Sequence, residues 1–84
     1  MYWDVVDVKP LENLGLFVRF ADGMTGEVRF APEHLTGVFG ALKDPAFFKQ
    51  VYVDHGAVAW TGQIDLAPDA MYQEIKTKGV LVLS

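Results

Sequence analysis

The stretch LGLFVRFADGMTGEVRF, residues 14–30, constrains the fold more than any other. Leu14, Leu16, Val18 and Phe20 recur at period two with Arg19 on the opposite side, the pattern of a strand with one face buried. Asp22-Gly23 then predicts a two-residue type I′ turn, because that turn needs positive φ at both central positions and Asp-Gly tolerates it well. Beyond it Met24, Gly26, Val28 and Phe30 alternate with Thr25, Glu27 and Arg29, so a second strand returns antiparallel to the first.

The flanking segments extend this hairpin into a small mixed domain. YWDVVDVK, residues 2–9, has the valines of a strand with a wet face, and Pro10 is expected to end it. From Pro32 the period lengthens: Leu35, Val38, Phe39 and Leu42 fall on one helix face, with proline at home in the first turn. Gly37 and Gly40 each cost about 1 kcal/mol against alanine inside a helix, so a short or irregular helix is expected. Asp44-Pro45 reads as an N-cap and first helical residue for a turn or two through Lys49. Val51 and Val53, the turn Asp54-His55-Gly56, and Val58 with Trp60 form a second hairpin.

After a loop at Thr61-Gly62-Gln63, Pro68, Met71, Tyr72 and Ile75 repeat at helical spacing up to Gly79. The tail VLVLS, residues 80–84, is apolar and rich in valine, and is expected to be an extra strand or a docking segment. The whole predicts an α+β fold: a small antiparallel sheet of four to five strands built from two hairpins, packed by two or three short helices. At 84 residues the chain is one domain, since two cores of half that size would not offset the chain entropy lost on folding.

Charge and composition narrow the function classes. The formal net charge of -4 disfavours phosphate backbones and anionic lipid surfaces, and the seven cations are scattered rather than clustered. Direct nucleic-acid binding and membrane binding are therefore not expected. With no cysteine there is no disulfide, thiolate metal site or cysteine nucleophile. No apolar run approaches the ~18 residues that span a bilayer, and the acidic N-terminus does not resemble a secretory signal, which predicts a cytoplasmic protein.

The candidate chemical groups have structural readings that are stronger than catalytic ones. His34 and His55 lack the spacing of metal ligands and fall in a helix start and a turn, so neither a metal nor another cofactor is expected. Asp65 and Asp69 flank a helix start and Asp54 lies in a turn, where carboxylates cap free N–H groups and oppose the helix dipole. Ser84 is the only serine and has no nucleophile-elbow context, and the glycines nowhere take a phosphate-cradling spacing. Phe20, Phe30, Phe39 and Phe47 lie on apolar faces. Phe17 instead shares a strand face with Arg19 and is expected to be exposed or covered by another chain, an arrangement common at interfaces.

The order of these motifs resembles the bacterial family designated domain of unknown function 2442. The elements that carry the resemblance are VVDVKPL (5–11), LFVRFADG (16–23), GVFGALKDPAFFKQVYVD (37–54) and WTGQIDLAPDAMY (60–72), which together cover nearly the whole chain. The loop TGQI after Trp60 and the extension KTKGVLVLS depart from the family pattern. The resemblance implies a small α+β domain of unassigned biochemistry. Some relatives are fused to a helix-turn-helix segment, and many pair with a small protein encoded beside them in an arrangement read as a toxin and its antitoxin.

These observations favour a non-enzymatic protein-interaction or regulatory module, an antitoxin-like partner of a small neighbouring protein, with homodimerisation as a compatible reading. The candidate interface is Phe17, Arg19, Arg29, Val80, Leu81, Val82 and Leu83. The alternative is a small-molecule-binding domain or enzyme that uses Asp54, His55, Trp60 and Asp65, which requires these residues to converge on one pocket.

Overall fold

A computed structural model of the chain describes residues 1–62 and 64–83, with the side chains of all of these except His34 and Val38. The sequence readings placed on His34, Val38, Gln63 and Ser84 lie outside the described residues. The predicted central hairpin is present as β2 (Gly15–Phe20) and β3 (Thr25–Phe30), with Phe17 opposite Glu27 and Arg19 opposite Thr25. Its turn differs from the two-residue form expected. Only Gly23 has positive φ (+93°), and the Phe20 N–H and C=O bond Met24 O and Gly23 N at 2.8 and 2.9 Å. The loop is therefore three residues long, a type I turn followed by a left-handed glycine. The Asp22 carboxylate supports it by accepting the Met24 N–H at 2.9 Å. The mirror-image two-residue turn occurs in the second hairpin instead, at His55 (φ +50°) and Gly56 (φ +82°), between β4 (Tyr52–Asp54) and β5 (Ala57–Trp60).

In place of one antiparallel sheet of four to five strands there are two sheets. The larger has the order β1-β2-β3-β7, where β1 is Val5–Leu11 and β7 is Val80–Leu83, and the smaller has the order β4-β5-β6, where β6 is Ile64–Leu66. β7 pairs parallel to β3, with Val28 opposite Leu81 and Phe30 opposite Leu83, so the larger sheet is mixed. β1 runs through Pro10 rather than ending there, pairing Pro10 with Leu16 and Leu11 with Gly15. An edge strand accepts proline because the missing N–H would have faced away from the ladder. A register shift between Val5 and Asp7 leaves Val6 as the extra residue of a bulge, 52% exposed.

The single irregular helix expected from Pro32 is two short 3-10 segments, Pro32–His34 and Gly37–Lys43. α1 (Pro45–Phe48) follows as predicted, with the Asp44 side chain accepting the Ala46 N–H at 3.0 Å. α2 (Pro68–Lys78) starts at its proline and ends at Gly79.

The core lies between the inner face of the larger sheet and the smaller sheet with α2. Leu16, Val18, Phe20, Val28 and Phe30 from the first meet Val58, Trp60 and Ile64 from the second and Met71, Tyr72 and Ile75 from α2. Trp60 is 1% exposed, and its indole N–H donates to the Phe48 carbonyl at 2.9 Å, so the polar end of the ring is satisfied where water is excluded. Phe30, Phe48 and Trp60 pack with ring centroids 5.7–6.2 Å apart. Among the described residues no buried side-chain polar atom lacks a partner.

Candidate functional site

The register of the larger sheet decides which of the candidate interface residues share a face. Side chains alternate along each strand, and Leu16, Val18, Val28 and Phe30 point into the core. Phe17, Arg19, Glu27 and Arg29 therefore project from the outer face. Cross-strand pairing brings Lys9 beside Phe17, Asp7 beside Arg19, and Val80 and Val82 beside Glu27 and Arg29.

Phe17 is half-buried rather than openly exposed. Its neighbours in the ladders are Lys9 and Glu27, side chains whose aliphatic stems cover an aromatic ring while their charged ends stay in water. Arg19 remains exposed and lies 3.9 Å from Asp7, a distance that contributes little at a wet surface. Arg29 has a structural role that spacing alone did not reveal. One guanidinium nitrogen donates to the Glu12 carbonyl at 3.1 Å and the other to the Glu27 carboxylate at 2.6 Å, so it ties the β1–β2 turn to β3.

The tail divides by alternation. Leu81 and Leu83 pack against the core, which removes both from the exposed interface expected of them. Val80 is half-buried, and Val82 is 56% exposed. The Leu83 carbonyl accepts the Ala31 N–H at 3.1 Å, so in a parallel ladder Leu81 and Leu83 turn their backbone groups towards β3. The N–H and C=O of Val80 and Val82 face the open side of β7, which is the edge of its sheet. Interface candidates on the outer face and edge thus reduce to Phe17, Arg19, Val80 and Val82.

Asp54, His55, Trp60 and Asp65 do not converge. Trp60 is buried with its N–H spent on Phe48, while the His55 side chain is 97% exposed at the hairpin tip, where its Nδ1 lies 2.7 Å from the carboxylate of the adjacent Asp54. Asp65 is exposed on β6, opposite Ala59. Among the described residues no group of three His, Asp or Glu side chains is placed to hold a metal ion, and no helix is long and apolar enough to cross a membrane.

One polar pair links the larger sheet to α2. The Tyr72 hydroxyl donates to Asp22 at 2.5 Å, across fifty positions of sequence. That bond, reinforced by the Met24 N–H, holds the Asp22 carboxyl below its ordinary range. The same bond to a carboxylate, together with burial, pushes the Tyr72 phenol up to about 12. Tyr72 is also packed edge-on by Phe20 and by Tyr2, with centroids 5.1 and 5.2 Å away.

A concavity that the sequence did not disclose opens between the β1–β2 turn and the helical segments. Leu11, Leu14, Pro32, Pro45 and Phe48 give it apolar walls, and Glu12, Asn13, Lys43 and Lys49 complete the lining, around a volume of about 630 Å³. In the sequence Lys43 and Lys49 are two of the seven scattered cations, and nothing in their spacing indicates that they line one groove.

Fold and surface together define a small α+β domain of two packed sheets with an open strand edge. The chain belongs to the DUF2442 family of proteins of unknown function, whose family model matches residues 5–77. No curated protein and no solved structure matches it.

Proposed function

We propose that this domain is a non-enzymatic protein-interaction or regulatory module, the antitoxin-like partner of a small protein encoded beside it, and that it docks by strand addition at β7. The observation that carries the reading is the state of that edge. Proteins ordinarily blunt an edge strand with lysine, proline, a bulge or a covering element, because unpaired N–H and C=O groups recruit other strands. β7, with the sequence VLVL, has neither a charge nor a proline along its length, and it places Val82 more than half exposed at the margin. An added strand would find backbone partners at Val80 and Val82 and apolar contact with their side chains. Phe17 and Arg19 on the same sheet face would extend the contact.

The test is co-expression with the product of the adjacent gene, followed by size-exclusion chromatography and limited proteolysis. The wild-type chain should co-elute with its neighbour and protect it. A Val82→Lys variant should lose the complex while retaining its melting temperature, since this side chain is more than half exposed. Independent elution of the wild-type pair, without mutual protection, would refute the proposal. A second copy of this chain could use the same edge, and light scattering of the isolated protein distinguishes that case.

A further inference from the structure

We infer that the groove between the β1–β2 turn and α1 is a binding site for a small amphipathic anion, a ligand with a short apolar body and a single carboxylate head. Its volume of about 630 Å³ lies within the roughly 300–1,000 Å³ of small-ligand sites, which are typically apolar with a few placed polar groups. Leu11, Leu14 and Phe48 supply the apolar surface and Lys43 and Lys49 the polar groups.

Three independent features support a built site. The walls are fixed before any ligand arrives: Pro32 and Pro45 restrict the backbone on one side, and the Phe48 carbonyl is held by the Trp60 indole at 2.9 Å. The opposite wall carries backbone strain. Asn13 and Leu14 both stand at φ +59° in the tight turn between β1 and β2, a left-handed conformation uncommon for a bulky side chain such as leucine. Leu14 is held there by the Phe30 N–H on its own carbonyl at 3.0 Å and by Arg29 on the carbonyl of Glu12.

The third feature is charge. Among the described residues Lys9, Lys43, Lys49 and Lys76 are in no ion pair, and of these four only Lys43 and Lys49 line the groove. In a chain of net charge -4 the overall field repels anions. Against that field two local ammonium groups favour an anionic head in this groove, where Glu12 is the only carboxylate among the described lining residues.

The experiment is an amide-resolved NMR titration of the full chain with hexanoate, with hexan-1-ol as the neutral counterpart, and with a short peptide of alternating glutamate and leucine. Hexanoate should give saturable shifts at Asn13, Leu14, Lys43 and Lys49, with several-fold weaker binding of hexan-1-ol. A Lys43→Gln/Lys49→Gln variant, altered only at exposed positions, should bind hexanoate about three- to tenfold more weakly and leave hexan-1-ol unaffected, in line with the strength of exposed ion pairs. Added salt should weaken hexanoate alone. Equal affinity for the acid and the alcohol, or no saturable shift at these amides, would overturn the inference. Saturation by the peptide but not by hexanoate would also overturn it, and would assign the groove to a protein segment.

Discussion

Gly26 lies on β3 directly against Ile75 of α2, and replacing it with alanine tests the packing described above. A Cβ at this position would stand 2.3 Å from the Ile75 Cγ2 and 3.2 Å from the Gly79 carbonyl oxygen. The first of these atoms is a branch at Cβ of a residue whose χ1 is stiff within a helix, so it cannot swing aside as the end of a long chain could. The second is backbone. Relief requires α2 to lift from the sheet, and overpacking of this kind costs about 1–3 kcal/mol. Against this, alanine gains about 0.4–1 kcal/mol by restricting the unfolded chain. The net expectation for Gly26→Ala is a loss of about 1–2 kcal/mol, which for a domain of this size lowers Tm by about 5–15 °C. Urea denaturation followed by far-ultraviolet circular dichroism reads it directly. Ile75→Leu, which deletes the offending branch at a cost below about 1.5 kcal/mol alone, should rescue part of the loss. The double variant should then fall short of the summed single effects by at least about 0.5 kcal/mol. A Gly26→Ala protein as stable as the parent, or strict additivity with Ile75→Leu, would show that α2 does not sit on β3 as described.

Further outcomes follow from the polar contacts. The Tyr72 phenol should titrate near 12, and Asp22→Asn should return it towards 10, as measured by phenolate absorbance. The signs are opposite at the two ends of the pH scale. Tyr72 is raised, so its contribution to stability is complete below pH 10 and lost between 10 and about 12. Asp22 is lowered, so its contribution is present above its ordinary value of 3.8 and fades as the pH falls below it. Asp22→Asn should flatten the stability profile in both windows, and an unchanged profile would exclude the pair as a stabilising contact. Trp60→Phe should cost at least about 2 kcal/mol in denaturant melts, by removing the donor to Phe48 and leaving a cavity. The Phe48 carbonyl keeps a long bond from the Val51 N–H, at 3.4 Å, so most of the loss comes from the cavity. A loss below about 0.5 kcal/mol would refute that assignment.

Elements whose signal is local were legible in the sequence. The β2–β3 hairpin is visible in strict alternation about Asp22-Gly23, α1 in the Asp44-Pro45 cap, and α2 in the run from Pro68 to Gly79. What escaped depended on length or on distance. β6 is three residues, Ile64 to Leu66, too short for a period of two to be distinguished from a loop. The division into two sheets and the parallel pairing of β7 with β3 are contacts between remote segments, which no local pattern encodes. The reading of VLVL as strand-forming was sound, but its partner, and hence which valines and leucines face solvent, could be decided only by register. The candidate site behaved likewise. Phe17 and Arg19 share the predicted face because they are two residues apart on one strand. Arg29 is committed to Glu12 and Glu27, and the groove joins residues from three separate segments.

The pairing of β7 with β3 also has a consequence in time. β1, β2 and β3 form a meander from contacts between sequence neighbours, whereas the strand that covers the remaining flank of β3 begins at Val80, about fifty residues after Phe30. At roughly 5–20 residues per second of synthesis, that flank is open for about 3–10 s in each nascent chain. During this interval the exposed register of β3 is the one that Val80 to Leu83 will later occupy, and the final strand must reach it before any competing strand does.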